Sequence, residues 1–242
     1  MTVTEQVLIT LRDNQSDASH TDVSQTSATT PVRMSAEDFL RMEHHGIAEW
    51  INGEVIFMSV KYEHQRIVDF LNALLRLFTQ MMNLGVICTV PYPMRARPGA
   101  NLREPDLVFV SADHAHRLTS QALEGPADLI IEVVSDGSVI QDYDDKYVEY
   151  RNAGVREYWI IDPRPDRLRT SFHVLDSNQQ FRVVALDDEG IYHATVLPGF
   201  WFNTNWLWQD PQPRVDELLL EIGGDAYLQQ LISKRMLKRD IS

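Results

Sequence analysis

The chain has 242 residues, 44% of them hydrophobic, enough to bury one full core, either alone or with appendages. Its single cysteine, Cys88, excludes an intrachain disulfide and a cysteine-rich zinc site, and fits a reducing, cytoplasmic setting. The formal charge is −13, and residues 31–210 carry −10 of it, from 16 basic and 26 acidic residues. A domain so charged repels phosphate backbones at long range.

No basic segment precedes an apolar one at the N-terminus, and no run of about 18 apolar residues occurs, so neither a signal peptide nor a membrane span is expected. Residues 13–30 are polar apart from Ala18, Val23 and Ala28, and a disordered leader is expected over 1–30. The folded domain is expected over 31–210, with a helical extension over 211–242.

Ser35 followed by Glu37 and Asp38 reads as an N-cap with first-turn acids, opening a short helix to about residue 44. Asn52-Gly53 between two extended runs predicts a hairpin. Over 62–82, Ile67, Leu71, Leu74, Phe78 and Met81 recur at helical spacing and predict one buried stripe, ended by Gly85. A strand over 86–92 follows, then a Pro- and Arg-rich passage, then a strand over 106–110. The run 129–134 is apolar except for Glu132, which suits a strand covered on both faces. A helix is predicted over 142–153, with Tyr143, Tyr147 and Tyr150 inward and Gly154 at its end. Strands over 157–161, 167–175, 180–186 and 190–196 complete the pattern. Residues 212–238 read as one or two amphipathic helices broken at Gly223-Gly224. The class is α/β.

Glu132 is the most informative residue. A carboxylate in a doubly covered strand is costly unless it is paired or binds a metal. Asp106 opens the other strongly apolar strand. Alone, Glu132 reads equally as a structural salt bridge or a strand end reaching solvent, and a lone Asp after Pro, as at Asp106, is usually a turn or cap residue; together at neighbouring strand ends they supply hard oxygen ligands suited to Mg²⁺ or Mn²⁺. The backbone carbonyl of Val133 offers a third oxygen. Lys146, on the returning helix, reads both as an i,i+4 partner of Asp142 and as an ammonium reaching the acids. Glu54 is either an accessory ligand or a solvent-facing hairpin acid. His64 lies on the buried stripe, as a core histidine or a base. Arg95, Arg97 and Arg103 crowd the passage before Asp106, as phosphate contacts or as charged edges that deter aggregation.

The order of these motifs resembles the Uma2 family. It is carried by Asn52-Gly53-Glu54, His64 on a helix, Pro105-Asp106-Leu107-Val108, Ile131-Glu132-Val133-Val134-Ser135, Asp142 four residues before Lys146, and the series from Gly154 through Glu157-Tyr158-Trp159-Ile160-Ile161 to Asp162-Pro163. The resemblance spans roughly 33–210, about three-quarters of the chain. It implies a PD-(D/E)xK, restriction-endonuclease-like fold, with a mixed central sheet flanked by helices and extra C-terminal strands and helices. It also implies Asp106 and Glu132 as the motif's acids, Lys146 as a lysine moved to the following helix, since Val134 stands in the usual place, and Glu54 as the early acid. The family's usual Ser-Pro-Ser-Thr after the second acid is Ser135-Asp136-Gly137-Ser138 here.

Two functions from different classes follow. One is a Mg²⁺- or Mn²⁺-dependent endonuclease acting on DNA, a partner that the net charge opposes. The other is a catalytically silent binding module on the same fold, as a possible homodimer through its C-terminal helices.

Overall fold

Asn52 and Gly53 take the left-handed backbone of a two-residue turn, with φ of 51° and 90°. Asn and Gly adopt this conformation at least cost, so they close a hairpin whose twist suits its strands. The computed structural model describes residues 32–43 and 46–239; the expected leader over 1–30 lies outside them. In chain order the first elements are β1 (Val32–Arg33), α1 (Ala36–Arg41), β2 (Ile47–Ile51), β3 (Glu54–Met58) and α2 (Tyr62–Met82). Ser35 caps α1 by accepting from the Asp38 amide at 3.1 Å. The long helix has the predicted bounds, but it ends at Asn83 in the left-handed conformation, not at Gly85. Gly85 serves the next strand: a Cβ there would stand 2.2 Å from the Val110 carbonyl oxygen.

The following strands are β4 (Gly85–Thr89), β5 (Met94–Arg95), β6 (Leu102–Arg103), β7 (Leu107–Ser111), β8 (Leu123–Glu124) and β9 (Leu129–Val133). A π-helical turn, Gln141–Asp145, leads into α3 (Lys146–Ala153), so the single helix predicted over 142–153 is two kinds of helix. Then come β10 (Glu157–Asp162), β11 (Arg169–Leu175), β12 (Phe181–Val184), β13 (Ile191–His193), β14 (Trp201–Asn203) and α4 (Val215–Arg239). The last helix breaks at Gly224 (φ 50°, ψ −144°), within the predicted Gly-Gly pair.

The central sheet has the order β12-β11-β10-β9-β7-β4. It is mixed: β9 and β10 are parallel, and the remaining pairs are antiparallel. Alternation in β7 and β9 divides the core. Leu107, Phe109, Leu129, Ile131 and Val133 pack toward α2 with Leu71, Leu74 and Phe78. Val108, Val110, Ile130 and Val134 pack on the other face with Tyr150 and Tyr158. From α4, Leu218, Leu219, Ile222 and Tyr227 join the α2 side.

A second sheet, ordered β1-β3-β2-β6-β5-β8, incorporates the Pro- and Arg-rich passage that reads in sequence as a loop. Two-residue strands such as β5 and β6 carry no periodicity to detect. Among the described residues, no helix is long and apolar enough to cross a membrane.

Candidate active site

Strand register brings the two acids together. β7 runs antiparallel to β9 with Leu107 opposite Ile131, so one further step sets Asp106 beside Glu132. By parity both side chains fall on the face shared by Val108, Ile130 and Val134, the face covered by α3. Asp106 is 6% exposed and Glu132 3%. Val133 donates its amide to Asp106 Oδ2 at 2.7 Å, and His64 Nε2 lies 3.1 Å from the same oxygen. A carboxylate can only accept, so the Nε2 proton belongs to the imidazole.

Lys146, at the first turn of α3, is 2% exposed. Its ammonium lies 3.1 Å from Glu132 Oε1, 3.0 Å from Asp142 Oδ1 and 3.3 Å from Glu49 Oε1. The ammonium therefore pairs with Asp142 and also reaches Glu132, while no ion pair joins it to Asp106 among the described residues. It sits on the inward face itself rather than beside the tyrosines. Tyr150, one turn later, donates to Glu132 Oε1 at 2.8 Å, and Tyr158 donates to the Asp142 carbonyl at 2.8 Å. A π turn often marks a functional segment; here it carries Asp142 directly ahead of Lys146.

Asp106, Glu132, Val133, Lys146, His64, Asp142 and Glu104 line one cavity with room of about 20 Å³, enough for a single water or ion. Burial pushes the Glu132 carboxyl well above the ordinary carboxylate range, Lys146 draws it back, and Asp142, Asp106 and Glu49 push it further up. Burial likewise raises Asp142. Burial alone would lower the Lys146 ammonium, yet Glu132, Glu49 and Asp142 together hold it well above its usual value. Glu104 is raised to about 7 by burial, eased by the Ala48 amide and reinforced by Glu49. Glu132, Asp142 and Glu104 are thus held toward their neutral forms, and a cation in the cavity would favour the ionised ones.

The donor set suits a hard cation. Both hydrogen bonds of Asp106 with described residues fall on Oδ2, and both contacts of Glu132 fall on Oε1. One oxygen of each acid is thus left for a ligand. Among the described residues, no three His, Cys, Asp or Glu side chains form a ready metal-ligand group. The fit therefore rests on two carboxylates and the Val133 carbonyl, with water completing the shell, as Mg²⁺ tolerates.

Other sequence expectations are corrected. Glu54 is apart from the site. Ile47 and Met58, at the open end of the hairpin, line the cavity, whereas Glu54 sits at the turn end and pairs with Arg33 across from it. The β2 carboxylate that reaches the site is Glu49. Arg103 is not free for phosphate: it is buried, with Glu49 Oε2 at 2.9 Å and Glu149 Oε2 at 2.8 Å. Arg95 faces Glu124 at 3.7 Å. Arg97 alone of the three is exposed. Glu49, on Lys146, and Glu104, on the cavity wall, belong to the cluster although the sequence pattern does not single them out. The one available signal was a glutamate between the apolar Ala48 and Trp50, and another directly before Pro105-Asp106.

A family profile for Uma2, described as "Putative restriction endonuclease", matches residues 36–205. The chain belongs to the Uma2 family. Among solved structures it is similar to a protein described as a putative nuclease belonging to DUF820, from Anabaena variabilis ATCC 29413. The TM-score is 0.56 at 14% identity, over 72% of this Uma2 chain and 97% of that one. At that identity the likeness establishes the fold alone. The comparison with curated proteins gives no match.

Proposed function

We propose that this Uma2 domain is a Mg²⁺- or Mn²⁺-dependent endonuclease that hydrolyses phosphodiester bonds in DNA. The observation that carries the reading is one cavity lined by Asp106 and Glu132 from adjacent strands, with the Lys146 ammonium 3.1 Å from Glu132. Asp106, Glu132 and the Val133 carbonyl would hold the cation. When bound, it supplies stabilisation for the negative charge that develops on phosphoryl oxygens. The protein's own groups do the rest. Lys146, kept charged by three carboxylates, orients the attacking water and offsets charge in the transition state. Tyr150 fixes Glu132 through one oxygen, and His64 with the Val133 amide fixes Asp106. The narrow cavity excludes bulk water.

Cleavage of supercoiled and linear DNA with Mg²⁺ or Mn²⁺, comparing wild type with Asp106→Ala, tests this. Nicking by the wild type alone is expected. Equal nicking by both, or none on any substrate, overturns it.

A second reading is a catalytically silent binding module. It is favoured by the saturation of Lys146 with three acids and by the missing three-ligand group among the described residues. Titration calorimetry separates the two, because a silent module takes up no divalent cation.

A further inference from the structure

A cavity with room of about 20 Å³ holds an ion or a water, so a DNA strand must take most of its affinity from surface outside it. Strand register shows which surface lies next to the site. β10 runs parallel to β9 with Ile160 opposite Glu132 and Ile161 opposite Val133, so Asp162 stands beside Val134. Arg169 of β11 pairs directly with Asp162. By parity Glu132, Asp162 and Arg169 share one face of the sheet, on three successive strands. From Glu132 to Asp162 is one strand across and two residues along, about 8 Å between Cα atoms.

Asp162 is fully buried, and the turn that follows it carries Arg164, Arg167 and Arg169 against Asp166 alone. Arg164 satisfies both oxygens of Asp162, donating from Nε to Oδ1 and from Nη2 to Oδ2, each at 2.8 Å. The buried acid therefore needs no second cation. Arg169 lies 3.9 Å from Asp162, and its side chain stays 51% exposed. Tyr143 holds it: the hydroxyl accepts from Nε at 2.9 Å, and the guanidinium lies over the ring, 4.6 Å from its centre. Arg167 is exposed, with no ion-pair partner among the described residues. Two contacts join this turn to the site. Tyr143 directly follows Asp142, which lines the cavity. Asp136, between the cavity-lining Ser135 and Ser138, is held below the ordinary carboxylate value by Lys61 first and also by Arg164.

We propose that the turn between β10 and β11 binds the DNA backbone: Arg167 and Arg169 take phosphates that flank the one in the cavity, and Arg164 screens Asp162 from them. The inference rests on the nuclease reading given above and names the surface that positions its substrate. Guanidinium groups match phosphate through paired N–H donors, and such contacts fix register without reading sequence. Tyr143 holds Arg169 in place before any substrate arrives, so little side-chain freedom is lost on binding. The charge of −13 opposes DNA at long range. Screening over about 8 Å leaves the contact itself to local groups, and residues 163–169 carry a net +2. The cations expected from sequence to meet phosphate, Arg95 and Arg103, face Glu124, Glu49 and Glu149 instead.

Fluorescence anisotropy tests this on the full chain, with a labelled DNA duplex and Ca²⁺, over a series of salt concentrations. Arg167→Gln should weaken binding and lower the salt slope by about one, and adding Arg169→Gln should lower it by about two. Arg167→Lys keeps the charge and should keep the slope. Arg182 supplies the control, an exposed arginine opposite Val174, whose other neighbour is Glu157 at the far end of β10. Arg182→Gln should leave the slope as in the wild type. An unchanged slope in both the single and the double variant, or an equal fall in Arg182→Gln, overturns the proposal and leaves the nuclease reading standing, because DNA then binds elsewhere on the chain. No DNA binding by the wild type overturns both.

Discussion

Glu49 of β2 reaches Lys146 of α3 at 3.3 Å through Oε1 and Arg103 at 2.9 Å through Oε2. One carboxylate thereby ties the second sheet to the helix that covers the central one. Burial would raise Glu49, but Lys146 and Arg103 outweigh it and hold the carboxyl below its ordinary value. The ammonium at the centre also serves Glu132 and Asp142. Removing it leaves three buried acids facing one another.

Lys146→Met should therefore destabilise the fold by about 3–5 kcal/mol, as loss of one partner from a buried ion pair does. Urea midpoints measure the loss. Adding Glu132→Gln in the same chain should recover part of the stability but none of the cleavage, because the charge is relieved while the site is not restored. A loss below about 1 kcal/mol, the usual ceiling for exposed pairs, would mean that water screens this cluster.

Asp106→Asn separates site from scaffold. The asparagine keeps the shape, and its carbonyl oxygen can still accept from the Val133 amide, now at 2.7 Å from Oδ2. What disappears is a charged ligand. DNA cleavage should fall by at least about 10²-fold, while thermal stability changes by less than about 1 kcal/mol. If folding and cleavage fail together, Asp106 is a structural acid.

The acids of the central sheet are legible because Glu132 interrupts an apolar run and Asp106 stands directly at the head of another, where an uncompensated charge is costly. Lys146 was legible as a partner but not as a buried one: the π turn at Gln141–Asp145 alters the helical phase that sequence spacing assumes. Glu54 misled for a related reason. Asn52-Gly53 specifies the hairpin, but which end of it meets the cavity depends on pairing between β2 and β6, at Trp50 and Leu102. Nothing local records that pairing. The same gap hid Arg103, whose neighbours Glu49 and Glu149 are 54 and 46 residues away.

That correction makes a paired prediction. Glu54→Gln touches only the outward pair with Arg33, so cleavage should stay within about twofold of wild type and stability within about 0.5 kcal/mol. Glu49→Gln removes a buried partner of both Lys146 and Arg103, and should cost about 2–4 kcal/mol by urea denaturation. Reversed effects would return the accessory role to Glu54.

Glu104 sets a pH dependence with a definite sign. Burial raises its carboxyl from an ordinary 4.5 to about 7, against the pull of the Ala48 amide and with Glu49 adding to the rise. The folded protein then binds this proton more tightly than the unfolded chain does. Its contribution to stability is complete below pH 4.5 and is lost as pH rises through about 7. Glu104→Gln still accepts from the Ala48 amide, which bonds Oε2 at 2.9 Å, but it has no proton to release. Stability should therefore fall with pH in the wild type relative to the variant, by about 3 kcal/mol across the window, in urea titrations run with EDTA. Glu132 and Asp142 are raised by burial in both proteins, so their shared slope cancels in the difference. Parallel pH profiles would mean that the Glu104 carboxyl keeps its ordinary value, and that the cavity admits more water than its walls suggest.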